Sequence, residues 1–170
     1  DWGRDRGTQR RVAAGMAAYH DTKFQDLRAF DDVEPFLKAL SSARLRTGII
    51  THGWTTKQSE KLIRLGLVPL LGPRNIFISD QVGISKPNVK LYQHALREMG
   101  LLPGEVLYVG DNLAHDIVPP ASIGMHTAWI RRAARDGQDV EAASPEFIVN
   151  DFRELAAILR ERFQIPLEEF

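Results

Sequence analysis

From residue 31 onward the chain alternates short apolar runs of β character with segments of helical periodicity, and that alternation restricts it to a parallel α/β sheet. Val33, Phe36, Leu37 and Leu40 follow the i, i+3, i+4, i+7 spacing of a helix. Asp31 or Asp32 is its N-cap, and Pro35 lies early enough to cost no hydrogen bond. Residues 46–50 (RTGII) read as a buried strand; Thr55 or Thr56 then caps a helix carrying Leu62, Ile63 and Leu65, which Gly66 ends. Residues 75–79 (NIFIS) are the next strand. After a loop through Gly83 and Pro87, Asn88 caps a helix with Leu91, Ala95, Leu96 and Met99, closed by Gly100. Residues 106–109 (VLYV) and 125–130 (MHTAWI) are strands flanking a helix near 114–123, in which Pro120 is ill suited to an interior position. A short strand at 147–149 precedes a last helix with Phe152, Leu155, Ile158 and Leu159, opened by Asp151 and Glu154 in the manner of a capping box.

Residues 1–29 follow another pattern: Val12, Met16 and Tyr19 stand at helical spacing, but no strand accompanies them. The chain therefore divides into a segment at 1–29 and a core domain at 30–170, with the linker around residues 23–30. Its first residue is Asp1 rather than Met, which is read as an end set by processing or by a boundary within a longer protein.

The 170 residues are enough to bury a core without disulfides or a structural metal. They carry 22 Lys plus Arg against 22 Asp plus Glu, so no nucleic-acid partner is expected, because counterion release needs a basic surface. No cysteine is present, which excludes disulfides, thiolate zinc sites and a cysteine nucleophile and suits the cytoplasm, the expected location. No apolar run approaches the about 18 residues of a membrane span, and no membrane partner is expected. Oligomeric state is not legible.

Open parallel sheets hold their ligands at the C-terminal ends of the strands, and polar residues collect at those positions here. Thr51, His52 and Gly53 follow Ile50; Lys86 lies in the loop after the second strand; Gly110, Asp111 and Asn112 follow Val109, with Asp116 further on. Taken singly, Thr51 reads as a cap, Lys86 as a surface cation and the 110–116 loop as a turn. Paired carboxylates on a strand-end loop are also a common way to hold Mg²⁺ with most of its waters retained. His20, His94, His115 and His126 show no metal-ligand spacing and read as surface or internally satisfied side chains. Arg131 and Arg132 read as a solvated pair. Trp54 reads as packing on the core, with a substrate entrance as the alternative.

In combination these residues resemble the haloacid dehalogenase-like superfamily of phosphohydrolases. GIITHG (48–53) looks like its second motif, Lys86 in ISKP like its third and VLYVGDNLAHD (106–116) like its fourth. YHDTKF (19–24) resembles the end of a helical cap and its return linker in subfamily I, which would make residues 1–29 the tail of that cap. The resemblance implies a Rossmann-like parallel sheet with helices on both faces, and a Mg²⁺-dependent phosphatase acting on a small phosphate monoester through an aspartyl-phosphate. It further implies that Thr51 bonds the phosphoryl oxygens with help from the N–H groups of His52 and Gly53 near a helix N-terminus, and that Lys86 pairs with nucleophile and phosphate. Asp111 would hold Mg²⁺, Asp116 would ligate it through water or orient Lys86, and Asn112 would be an outer partner. Gly-Asp at the fourth motif favours a phosphatase over the metal-free dehalogenases, which usually carry Ser and Asn there. A receiver-type signalling module fails on order, since its acidic residues precede its Thr and Lys.

The family's first motif, Asp-x-Asp-x-Thr or Val after an apolar strand, is not found in these residues; Asp5-Arg6-Gly7-Thr8 is only a superficial echo. Nucleophile and general acid are expected upstream, about 80 to 110 residues before Asp1, on a strand between those ending at Ile50 and Val109. Without that strand its neighbours would stand about 9 to 10 Å apart. The alternative is a catalytically dead or incomplete member of the fold with a binding or structural role.

Overall fold

A computed structural model of the chain describes residues 10–12, 14–16, 24, 26–133, 137 and 139–170. β1 (Ile49–Thr51) pairs in parallel with β2 (Ile76–Ile78), Ile50 opposite Phe77. β3 (Leu107–Gly110), β4 (His126–Ile130) and β5 (Phe147–Val149) form a second parallel sheet in that order, Val109 opposite Ala128 and Trp129 opposite Ile148. The longer helices are α1 (Val33–Ser42), α2 (Thr55–Arg64), α3 (Val89–Met99) and α4 (Phe152–Arg162).

Strand alternation decides how these parts join, because successive side chains point to opposite faces. Ile49 packs with Leu62, Leu67 and Leu71, whereas Ile50 packs with Tyr92, Leu96 and Met125. On β3, Leu107 and Val109 meet Phe36, Leu40, Leu155 and Leu159, while Tyr108 joins Tyr92 and Leu96. Leu37 of α1 touches clusters under both sheets on one face, and α3 touches β1 and β3 on the other. Helices thus cover both faces, as a parallel sheet requires. Among the described residues no strand pairs β1 with β3; both strands are half-buried throughout, whereas residues 127–130 of β4 are buried.

Several local details differ from the sequence reading. α2 begins after Trp54, so neither Thr55 nor Thr56 is the N-cap; Asp80 Oδ2 accepts from the Thr55 N–H at 3.0 Å and from its hydroxyl at 2.7 Å. Residues 113–123 form a wider π-type turn (Leu113–Ile117) and then a separate short helix (Val118–Ser122). That restart places Pro119 and Pro120 in a first turn, where the N–H they lack has no helical partner in any case. Asp151 caps α4 through the N–H groups of Arg153 and Glu154, but Glu154 reaches back to the N–H of Asn150, one residue before the cap. Single-turn helices at Val68–Leu71, Ser79–Val82 and Val140–Ala143 are too short to leave a period in the sequence. Residues 10–12 and 14–16 are helical, with Val12 and Met16 exposed. Residues 19–23 of the YHDTKF tract, Tyr19 and His20 among them, lie outside the described residues, as does the Asp5–Thr8 echo. No helix among the described residues is long and apolar enough to cross a membrane.

Asp32 stands at the N-cap position of α1 but makes no cap bond. It is 2% exposed, and its carboxylate instead accepts from Arg132 Nη1 at 2.7 Å and from the Phe152 N–H at 2.8 Å. Arg132, expected to be solvated, is held here with its guanidinium 4.0 Å from the Phe30 ring centroid and 5.0 Å from that of Phe152. Phe152 in turn stacks on Phe36 at 4.8 Å. One buried carboxylate therefore ties α1, the end of β4 and the start of α4. Burial alone would raise its pKa; the Phe152 N–H and then Arg132 outweigh that and hold it below the ordinary 3.8. A depressed native value stabilises the fold above the unfolded pKa, and the stabilisation is lost as pH falls through the native one. Asp32→Asn is expected to lower the urea-unfolding free energy by about 3 kcal/mol near neutral pH. The difference from the parent should shrink as pH is taken below 3.8.

Candidate active site

The loop after β3 is shaped around one buried carboxylate. Asp116 is 5% exposed; its Oδ1 accepts from Lys86 Nζ at 2.6 Å and its Oδ2 from the Asn112 N–H at 3.2 Å. The side chain lies so close over Gly110 that a Cβ there would stand 2.2 Å from Asp116 Cβ, so only glycine fits at that strand end. Asn112 Oδ1 accepts from the His115 N–H at 3.0 Å and holds the turn. Further along, a helical continuation would pair the His115 carbonyl with an N–H that Pro119 and Pro120 both lack. The fully buried Tyr92 supplies the donor instead, its hydroxyl bonding that carbonyl. Burial, and then the nearby Asp116 charge, push the phenols of Tyr92 and Tyr108 well above their ordinary range, so both stay protonated. Lys86 Nζ also stands 5.4 Å from the Tyr108 ring centroid. With side chains 13% and 8% exposed, Lys86 and Asp116 are a shielded ion pair, and the reading of Lys86 as a surface cation fails.

Asp111, next to Gly110, is half-buried, and its backbone carbonyl accepts from Trp129 Nε1 at 3.0 Å. Among the described residues no group of three or more His, Cys, Asp or Glu side chains is arranged to hold a metal. The carboxylates of Asp111 and Asp116 are nevertheless the hard oxygen donors that Mg²⁺ takes, commonly one or two at a time.

The second cluster lies at the end of β1. Thr51 Oγ1 donates to Gln58 Oε1 at 3.1 Å, and Gln58 folds back so that its Nε2 would lie 2.6 Å from a Cβ at Gly53, whose φ is +136°. The Gly53 N–H, expected to face a phosphoryl group, instead donates to Ser79 Oγ at 3.0 Å. Asp80 accepts the first N–H of α2 and places a carboxylate at that helix terminus. Both occupants come from the end of β2, because the parallel β1–β2 register brings the two strand ends together. Ser79 Oγ also lies 3.2 Å from His52 Nδ1.

Trp54 does not pack on the core: it is 68% exposed beside this cluster. His126 pairs with Glu146 at 2.6 Å, and His94 meets Phe77 edge-on at 5.9 Å. The structure thus brings Lys86 and Asp116 into contact beside Asp111, and gathers Thr51, His52 and Gly53 at the end of β1. Ser79, Gln58 and Tyr92 were not singled out from the sequence. Ser79 directly follows a strand, and the rule that flagged Thr51 would have reached it.

A family model described as haloacid dehalogenase-like hydrolase matches residues 5–130. A glyceraldehyde 3-phosphate phosphatase of Methanopyrus kandleri is 41% identical over 154 residues, covering 88% of this chain and 64% of the relative. A protein of the same description from Methanocaldococcus jannaschii is 34% identical over 150 residues, with the same shares. The crystal structure of a HAD phosphatase from Thermococcus onnurineus superposes with a TM-score of 0.68 at 29% identity, covering 77% of this chain and 58% of that one. The chain spans less than two thirds of the length of these relatives.

Replacing Gly110 tests the packing that shapes the site. Gly110→Ala must push Asp116 aside and is expected to lower unfolding free energy by about 1 to 3 kcal/mol. Gly104→Ala, with open space around its Cβ, should stay within about 0.5 kcal/mol of the parent. Urea titrations of the two variants check both values.

Proposed function

The chain belongs to the haloacid dehalogenase-like hydrolases, and from that premise we propose that the intact protein is a Mg²⁺-dependent phosphatase of small phosphate monoesters. The observation that carries this reading is the shielded Lys86–Asp116 pair beside the end of β3. Phosphoryl transfer asks mainly for positioning and for positive charge around the phosphoryl oxygens. Lys86, aimed by Asp116, supplies a fixed cation. Thr51 supplies a hydroxyl whose present acceptor, Gln58 Oε1, a phosphoryl oxygen would replace. Gly53 then acts through its backbone conformation and not through its N–H. Asp111 is the direct Mg²⁺ ligand in this reading. Both oxygens of Asp116 are already engaged, which favours a water-mediated or Lys86-orienting role for it. The ion, when bound, would neutralise phosphoryl charge.

The nucleophilic aspartate and the general acid belong, in this proposal, to a strand inserted between β1 and β3, forming an aspartyl-phosphate. The half-buried state of β1 and β3, which are not paired with each other among the described residues, supports it. A helical cap ending near residue 29 and a cytoplasmic location, in keeping with a chain free of cysteine, are part of the same reading. The balanced charge favours a small-molecule ester over a nucleic acid. The relatives described as glyceraldehyde 3-phosphate phosphatases point to a short phosphorylated carbon chain.

In the intact protein, Lys86→Ala is expected to reduce kcat about a hundredfold or more; a near-parental kcat in steady-state assays would contradict this site. Asp111→Asn should abolish most Mg²⁺ affinity in isothermal titration, and Asp116→Asn should weaken it less. The 170 residues alone should hydrolyse no generic phosphate ester with Mg²⁺, whereas a chain extended upstream through the first motif should. Turnover by the 170 residues would mean that the nucleophile lies within them.

A further inference from the structure

Ser79 is 4% exposed, and a buried hydroxyl needs an acceptor for its own proton. Its Oγ already receives the Gly53 N–H, and its other partner is His52 Nδ1 at 3.2 Å. The Ser79 O–H therefore donates to Nδ1, and the neutral imidazole carries its proton on Nε2. His52 is exposed while Thr51 before it is half-buried, so the two side chains serve different sides of the strand end. Thr51 and Lys86 suit the phosphoryl oxygens. An exposed N–H at the same strand end suits a neutral oxygen on the leaving group.

We propose that His52, oriented by Ser79 with its Nε2–H outward, is a substrate-facing donor that selects phosphate esters bearing a hydroxyl or carbonyl oxygen close to the phosphoester. This rests on the phosphatase reading above. Ser79 is then a positioning residue, acting on substrate only through His52. A site built to hydrogen-bond an oxygen discriminates against the analogue that lacks it, since the donor is left unmatched.

The test compares kcat/KM of the intact protein for glycerol 3-phosphate and for n-propyl phosphate, which lacks the hydroxyls. The parent should favour glycerol 3-phosphate by about tenfold, the scale of one good hydrogen bond. His52→Leu should bring the ratio to about unity, and His52→Gln, whose amide N–H stands near the Nε2 position, should restore most of it. Ser79→Ala should lower the ratio about threefold, a fraction of the same hydrogen bond. Asp80→Ala, which removes only the cap on α2, should leave the ratio as in the parent. Imidazole ¹⁵N NMR should show His52 unprotonated at Nδ1 and protonated at Nε2, with the Nδ1 resonance moved in Ser79→Ala. An unchanged ratio in His52→Leu, or a proton found on Nδ1, overturns this proposal and leaves the phosphatase reading standing. Hydrolysis of neither ester by the intact protein overturns both.

Discussion

Asp116 is the residue around which the end of β3 is arranged. A carboxylate taken out of water is tolerated only with a countercharge and with its lone pairs satisfied. Lys86 and the Asn112 N–H meet those needs, and each imposes something on the chain. Lys86 must arrive from a loop thirty positions away in sequence, which fastens the β2–α3 connection to β3. The carboxylate must lie across the strand end, which leaves room for glycine alone at position 110. The wide turn that delivers Asp116 then runs into two prolines, and Tyr92 of α3 makes good the donor they lack. Asp111, one residue past the glycine, takes its position from the same turn.

A second buried carboxylate does comparable work beyond the ends of β4 and β5. Asp32 joins three segments that are far apart in sequence, and the cation it pairs with is packed between two aromatic rings. Neither ion pair is a large source of stability by itself, because desolvation offsets much of the attraction. Their effect is to make alternatives expensive: a sheet or helix shifted in register would strand a charge. Apolar packing by α1 and α3 holds the β1–β2 and β3–β5 sheets in one body, and the two carboxylates specify how the segments meet.

The ends of β1 and β2 show how parallel pairing satisfies polar groups that local sequence would leave open. Of the donors that local sequence assigns to a phosphate, the N–H groups of His52 and Gly53 near the start of α2, the Gly53 N–H is taken by Ser79, and Asp80 accepts the first N–H of α2. In the proposed phosphatase reading, the Thr51 hydroxyl, Lys86 and the His52 imidazole are left for substrate.

Much of this was legible in the linear chain. Periodicity placed α1, α2, α3 and α4, and β5 to the residue, because a helix or strand that buries one face must repeat apolar side chains at its own period. Strand-end position marked Thr51, Lys86, Asp111 and Asp116, since such residues emerge at the edge of any parallel sheet whatever surrounds it. Single-turn helices escaped because one turn has no period. The partners of Ser79, Gln58, Tyr92, Asp32 and Arg132 escaped for a different reason. A hydrogen bond between residues 26 or 100 positions apart leaves no local pattern. The sequence by itself determined the order of elements, their apolar faces and which polar groups stand at the strand ends. Only the tertiary structure decided which of those groups are already satisfied by one another, because that depends on which strand ends and loops the packed core brings within hydrogen-bonding distance.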